Sequence, residues 1–153
     1  MQITIKFYNP KYAFDFEQLN LEWLLKYFVV EKHDTEMLSN PEKYIIQKGG
    51  EIIFALSKNK VVGTVALIKL SEEQVELAKM AVTESFKGNN IGNLLLKAAI
   101  KKAKEMNFST IILESNRKLK PAIYLYKKYG FKEVELSKNS AYVRADIRMI
   151  KSL

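Results

Sequence analysis

The run Lys87-Gly88-Asn89-Asn90-Ile91-Gly92 has the residue types of an anion cradle. Glycine and asparagine tolerate positive φ, so several backbone N–H groups can turn into one concavity. An amphipathic stretch starts at its end, and the free N–H groups and dipole of a helix N-terminus favour a negative charge. The run lacks the Gly-Lys-Ser/Thr that closes a P-loop, and it does not spell G-x-G-x-x-G. Small residues also suit a plain strand-to-helix turn, and the run alone leaves both readings open. Two side chains near it in sequence could move protons. Glu76 is the carboxylate of a mostly apolar strand. In a partly desolvated cleft its pKa would rise enough for it to act as a base near neutral pH, whereas on a strand edge it would simply pair with a lysine. Tyr126 carries a phenol, in a run that also holds Tyr124 and Tyr129; the same residues would serve as core aromatics with satisfied hydroxyls.

The elements that must position these groups follow from periodicity. Val75 to Val82 places Glu76, Ala78, Met80 and Val82 on one face and Leu77, Lys79 and Ala81 on the other. Apolar residues on both faces predict a central strand covered on both sides. From Asn90 to Met106 the residues Ile91, Leu94, Leu95, Ala98, Ala99, Ala103 and Met106 keep a helical stripe. Ser109 to Ser115 is then a strand parallel to the first, with the helix as crossover. Lys118 to Tyr129 reads as a helix with Pro121 in its first turn and Gly130 ending it. Phe131 to Leu136 and Ala141 to Ile150 read as two antiparallel strands joined by Ser137-Lys138-Asn139-Ser140.

Upstream, Gln2 to Phe7 alternates as a half-buried strand. Lys11 to Val29 reads as a long amphipathic helix with Phe14, Leu21, Leu24, Leu25 and Phe28 as its stripe. A short helix is expected near Thr35 to Leu38, and another opens at Asn40-Pro41, runs through Gln47 and ends at Gly49-Gly50. Glu51 to Ser57 and Val61 to Leu70 form a hairpin. The fold class is therefore α/β, of the mixed α+β kind: a central mixed sheet of about seven strands flanked by about four helices, in one domain over residues 1–153.

Composition narrows the chemistry. At 153 residues, 48% hydrophobic and 27% charged, the chain has ordinary globular composition and length for a substantial core. It has no cysteine, which excludes disulfides, thiolate catalysis and zinc–thiolate sites. With a single histidine, His33, no multi-histidine metal site is possible, and no metal is implied. The start MQITIKFYNP is strand-like rather than a signal peptide, and no apolar run approaches a membrane span, so a cytoplasmic protein with no membrane partner is expected. The net charge of +8 suits nucleic acid or an anionic ligand. The lysines are scattered, however, with Lys97, Lys101, Lys102 and Lys104 forming the solvated face of a helix. No basic cluster is interleaved with aromatics, which argues against nucleic acid as the partner.

Beyond the residues taken singly, the chain resembles the GNAT superfamily of acetyl-CoA-dependent N-acetyltransferases. Lys87 to Gly92 falls on that family's Arg/Gln-x-x-Gly-x-Gly/Ala motif, with Lys87 in place of Arg or Gln and Asn90 in place of the middle glycine. About 30 residues on, Ala122-Ile123-Tyr124-Leu125-Tyr126 followed by Gly130-Phe131 resembles the family's second, more specific signature. The likeness covers residues 51 to 149 well and the first 50 loosely. It implies a GNAT-like sheet whose parallel pair splays apart to admit the pantetheine arm of acetyl-CoA, the cosubstrate. It further implies that Ala78 to Val82, with Met80 and Ala81 between them, bond to pantetheine through their backbone. The N–H groups of Gly88, Asn89, Asn90, Ile91, Gly92 and Asn93 are implied to hold the pyrophosphate. Asn116 and Lys128, with Arg117 and Lys127, are further candidates for the cofactor.

Acetyl transfer needs a neutral amine, a stabilised oxyanion and a protonated leaving thiolate. The resemblance assigns the last task to Tyr126 as general acid near the sulfur, the oxyanion to a backbone N–H near Met80 to Val82, and the removal of the amine's proton to Glu76. In this fold the acceptor cleft is built by the first helices and the last hairpin. Those offer Glu31 and Asp34, which suit a cationic amine, and Tyr142 and Arg144, of which the arginine suits a carboxylate. The partners expected are therefore acetyl-CoA and the primary amine of a small molecule, amino acid or peptide, with a homodimer compatible with the family. Two other classes stay open on sequence: a CoA-binding module or sensor without turnover, and a basic domain associated with nucleic acid.

Overall fold

The computed structural model describes residues 2–136, 140 and 143–153. Seven strands form one sheet in the order β1-β2-β3-β4-β5-β7-β6. Strand β1 is Thr4–Phe7, β2 Glu51–Ser57, β3 Lys60–Lys69, β4 Gln74–Val82, β5 Thr110–Ser115, β6 Lys132–Val134 and β7 Ile147–Ser152. Four α-helices flank it: α1 over Ala13–Tyr27, α2 over Lys32–Ser39, α3 over Ile91–Glu105 and α4 over Lys120–Lys128. A five-residue π-helical stretch, Glu42–Ile46, follows α2, and short 3-10 turns precede α1 and α3. All neighbouring strands are antiparallel except β4 and β5, which α3 joins as a parallel crossover. No helix among the described residues is long and apolar enough to cross a membrane.

Alternation along the buried strands sorts the core into two layers. Ile53, Ala55, Val65, Leu67, Val75, Leu77, Ile111 and Leu113 face α3 and α4, where Leu95, Leu96, Ala99 and Tyr126 meet them. Ile52, Phe54, Ala66 and Ile68 face the other way, onto Phe16, Leu24 and Leu38 of α1 and α2 and onto Ile45. On α1 the buried face is Phe16, Leu19, Asn20 and Leu24. Phe14 and Leu25, expected inside, are 69% and 72% exposed. The helix is apolar on more than one side, and contact with the sheet, not its own periodicity, selects the face that is covered. The last strand also departs from expectation: it begins at Ile147 rather than Ala141 and runs on to Ser152, pairing along β5 from Ser115 back to Thr110. The expected connection over 137–139 lies outside the described residues.

Two irregularities in β4 open the sheet and re-aim its side chains. Its parallel pairing with β5 covers only Gln74↔Thr110, Val75↔Ile111 and Glu76↔Ile112, so beyond Glu76 the two strands part and the β4 edge from Leu77 to Val82 has no strand beside it. On its other edge the register with β3 steps from Ala66↔Ala78 to Thr64↔Ala81, so Lys79 and Met80 oppose the single residue Val65. This is a β-bulge, which bends a strand and turns its side chains. Lys79 sits in it at φ 57°, a left-handed conformation that a lysine rarely takes.

Candidate active site

A cavity of about 930 Å³ opens where β4 and β5 separate. Its walls come from the end of α1, from β4, from the Lys87–Asn93 turn, from the segment after β5 and from α4. Because the sheet is parted here, side chains from its two faces reach one space. Ile68, cross-strand partner of Glu76, belongs to the layer under α1 and α2, so Glu76 points to that side. Glu114, two residues beyond the register partner Ile112, points the same way. Tyr126 enters from the opposite layer, on α4.

Tyr126 packs against Phe131 with ring centroids 5.8 Å apart, is 7% exposed and lines the cavity. No hydrogen bond to its hydroxyl is made among the described residues, and burial pushes its pKa up to about 12. The phenol therefore keeps its proton at any physiological pH. Glu76 is half-buried, and its carboxyl is pushed up to about 7, first by desolvation and then by the Glu114 carboxylate, while Lys79 and Arg148 pull it down. Near neutrality it exists in both states, which a proton acceptor requires.

The turn before α3 has the geometry its sequence suggests. Gly88 and Asn90 take positive φ, 83° and 65°. A Cβ added at Gly88 would meet nothing within 4 Å, so glycine serves here for conformation rather than for space. Asn90 is the N-cap of α3, without a side-chain capping bond. Among the described residues no acceptor takes the N–H groups of Gly88, Asn90, Ile91, Gly92 and Asn93; Leu94 N–H is the first to bond back, to the Asn90 carbonyl. Lys87 is not free beside them. Its amine donates to Tyr27 Oη at 2.6 Å and pairs with Glu84 at 3.0 Å.

Under α1 and α2 a buried ion cluster forms part of the wall. Asp34, 0% exposed, accepts from Lys79 Nζ at 2.6 Å and from Arg144 Nη2 at 2.9 Å on one oxygen. Its other oxygen accepts from Arg144 Nη1 at 2.8 Å and from Glu31 N–H at 2.9 Å, within the capping box of α2. Four donors occupy the four lone-pair positions of the carboxylate. Burial works to raise the Asp34 pKa, but the hydrogen bonds from Arg144 and Lys79 outweigh it and hold the carboxyl well below the usual range. Glu31 accepts from the same Arg144 at 3.0 Å and from Val143 N–H at 3.1 Å.

Of the residues singled out by sequence, Met80, Ala81, Val82, Lys87, Gly88, Asn90, Ile91, Gly92, Asn93, Asn116, Asp34, Arg144, Glu76 and Tyr126 line the cavity. Glu31, Asn89 and Lys128 do not, and Tyr142 lies outside the described residues. The Asn116 amide donates to the Arg144 carbonyl at 2.8 Å and accepts from Lys118 N–H at 3.0 Å, so it braces the segment after β5. Three wall residues are not marked as site residues by sequence reasoning. Lys79 is a cation in an apolar strand, a pattern that calls for a buried counter-charge. Glu114 repeats the Glu76 pattern in the neighbouring strand. Lys118, which donates to the Tyr27 carbonyl at 2.8 Å and lies 4.0 Å from the Phe28 ring centroid, carries no local signal.

The profile of the Acetyltransferase (GNAT) family matches residues 17–131. Among curated proteins, N-acetyltransferase 8B of Rattus norvegicus is 26% identical over 113 residues, 71% of this chain and 51% of that protein. The chain thus spans about half the length of several curated relatives it matches. Among solved structures, an acetyltransferase of the GNAT family from Staphylococcus aureus Mu50 superposes with a TM-score of 0.87 at 26% identity, covering 99% of each chain. The PaiA N-acetyltransferase of Thermoplasma acidophilum, solved in complex with coenzyme A, shares the fold at a TM-score of 0.74 and 16% identity over the full length of both chains.

Proposed function

Because the chain belongs to the acetyltransferase (GNAT) family, we propose that it transfers the acetyl group of acetyl-CoA to a primary amine by direct attack with both substrates bound. The residues present fit that cosubstrate. The unpaired β4 edge from Leu77 to Val82 offers main-chain donors and acceptors to an extended arm, as a sheet edge does to an added strand. The unbonded N–H groups of Gly88 and of Asn90 to Asn93 suit a diphosphate. Acetyl-CoA supplies an acetyl group already activated as a thioester.

The remaining chemistry falls to this chain. Glu76 takes a proton from the amine on the α1/α2 side of the sheet. Backbone N–H groups near Met80 to Val82 stabilise the charge that develops on the carbonyl oxygen. Tyr126 gives its proton to the departing sulfur from the α4 side. The observation that carries this reading is the placement of Glu76 and Tyr126 on opposite faces of the sheet at the one point where the strands part. Asp34 and Arg144, the latter paired also with Glu31, shape the acceptor wall, since their charges already satisfy one another. We assign the reaction to the cytoplasm and to a single domain.

Titration with acetyl-CoA, desulfo-CoA and ATP tests the cosubstrate: both pantetheine-bearing ligands should bind and ATP should not match them. Tyr126→Phe tests the mechanism. It should keep acetyl-CoA affinity and lower kcat by about 100-fold, the usual scale for one positioned acid. Unchanged turnover would remove Tyr126 from the reaction.

A further inference from the structure

Acetyl transfer with Glu76 as base gives a task to one of two carboxylates at the fork of the sheet. Glu114 shares the face of Glu76 and lines the same cavity, where the two strands have just separated. Resting on the acetyl-transfer reading, we propose that Glu114 docks the acceptor's ammonium group beside Glu76, so that the enzyme takes its acceptor as a cation and deprotonates it in place.

Two neighbouring carboxylates in a half-buried site repel each other unless a cation joins them. Three of the chain's own cations near the site are engaged elsewhere. Lys79 and Arg144 bind Asp34, and Lys118 sits on the Tyr27 carbonyl and the Phe28 ring. Arg148 is the cross-strand partner of Glu114 on β7, yet no ion pair joins them within 4.0 Å among the described residues. Glu114 is held instead by a neutral group, Ser140, whose hydroxyl donates to its Oε1 at 2.7 Å. That bond orients the carboxylate without bringing an opposing charge to it. The groups acting on Glu76 are thus Glu114 from β5, Lys79 from its own strand and Arg148 from β7.

An ammonium ion placed between the two carboxylates supplies the missing charge. One N–H bond breaks, the proton passes to a Glu76 oxygen, and nitrogen retains the electron pair with which it attacks the acetyl carbon; the C–S bond then breaks, the sulfur leaves with the Tyr126 proton, and the surplus proton on the new amide nitrogen restores the Tyr126 phenol. Glu114 holds the ammonium and takes no part in the proton transfer. The acceptor class follows: amines that are cations at neutral pH are preferred over amines that are not.

The test compares benzylamine, putrescine and glycinamide, cations at neutral pH, with aniline, which is neutral, in wild type and Glu114→Gln. The variant should raise KM for the cations at least about tenfold, the scale of a lost charge-assisted hydrogen bond, and leave that for aniline nearly unchanged. The acid limb of kcat/KM should also move to lower pH, because removing the Glu114 charge lowers the Glu76 pKa, and acetyl-CoA affinity should not change. Glu114→Asp, which keeps the charge but retracts it, should restore the limb without restoring KM. It also carries the comparison of cations with aniline if Glu114→Gln does not fold. Equal KM changes for benzylamine and aniline, or an unmoved acid limb, overturn the docking role and leave acetyl transfer standing. A wild-type protein that acetylates none of the four amines overturns both.

Discussion

Two groups of charges share one cavity and are treated in opposite ways. Around Asp34 every carboxylate oxygen has a donor, every charge has a counter-charge, and the buried ions join α2, the β4 bulge and the segment before β7. Around Glu76 and Glu114 two carboxylates stand together with no ion pair to either among the described residues. The first arrangement is finished without a ligand. The second is finished only when a cation arrives. The difference separates charges that hold the wall in place from charges left available for chemistry, a distinction that sequence distance or residue type would not reveal.

The comparison can be broken most forcefully at Asp34. Asp34→Ala removes the carboxylate that Lys79 and Arg144 share in a buried position, and chemical denaturation at neutral pH should show a loss of about 3–5 kcal/mol. An equally stable variant would mean that the cluster holds nothing. Glu76→Gln should behave in the reverse manner, losing at least about 100-fold in kcat/KM while the protein stays folded.

The same Glu76 variant sharpens the contrast through pH. The folded-state pKa of Glu76 is raised from 4.5 to about 7, so its contribution to stability is full below the lower value and is lost as pH rises through the upper one. Glutamine does not ionise. The Glu76→Gln protein should therefore have a higher unfolding free energy than wild type at pH 8, by at most roughly 3 kcal/mol in chemical denaturation, with the gap closing towards pH 5. Asp34, depressed, has the opposite sign: its contribution is present above its ordinary pKa and is lost as pH falls towards the folded value. The smallest effect is expected at Lys26, whose pairing with Glu84 is solvent-exposed. Lys26→Ala should leave the melting temperature unchanged within error, in salt and without it.

Much of the architecture is legible in the sequence, for a local reason. The apolar hairpin strands from Glu51 to Leu70, the helical stripe from Ile91 onward and the glycine at 130 act through neighbours a few residues away. The turn at Gly88 and Asn90 is of this kind, because positive φ is a property of the residue itself. Legibility ends where two local solutions are similar. Helix α1 could bury Phe14 and Leu25 or Phe16 and Leu19, and only its seat on the sheet chose between them.

What the sequence determined by itself is therefore the succession of strands and helices, the parallel crossover through α3, and a backbone shape able to present N–H groups between Gly88 and Asn93. Tertiary structure alone decided where β4 and β5 part, that Lys79 turns into a left-handed bulge to meet Asp34 45 residues earlier, and that Glu76 and Glu114 stand on one face with Tyr126 opposite. Backbone preference is a local energy and is written residue by residue. The pairing of buried charges and the meeting of two sheet faces depend on which distant groups share a low-dielectric space, and that is settled only when the chain has packed.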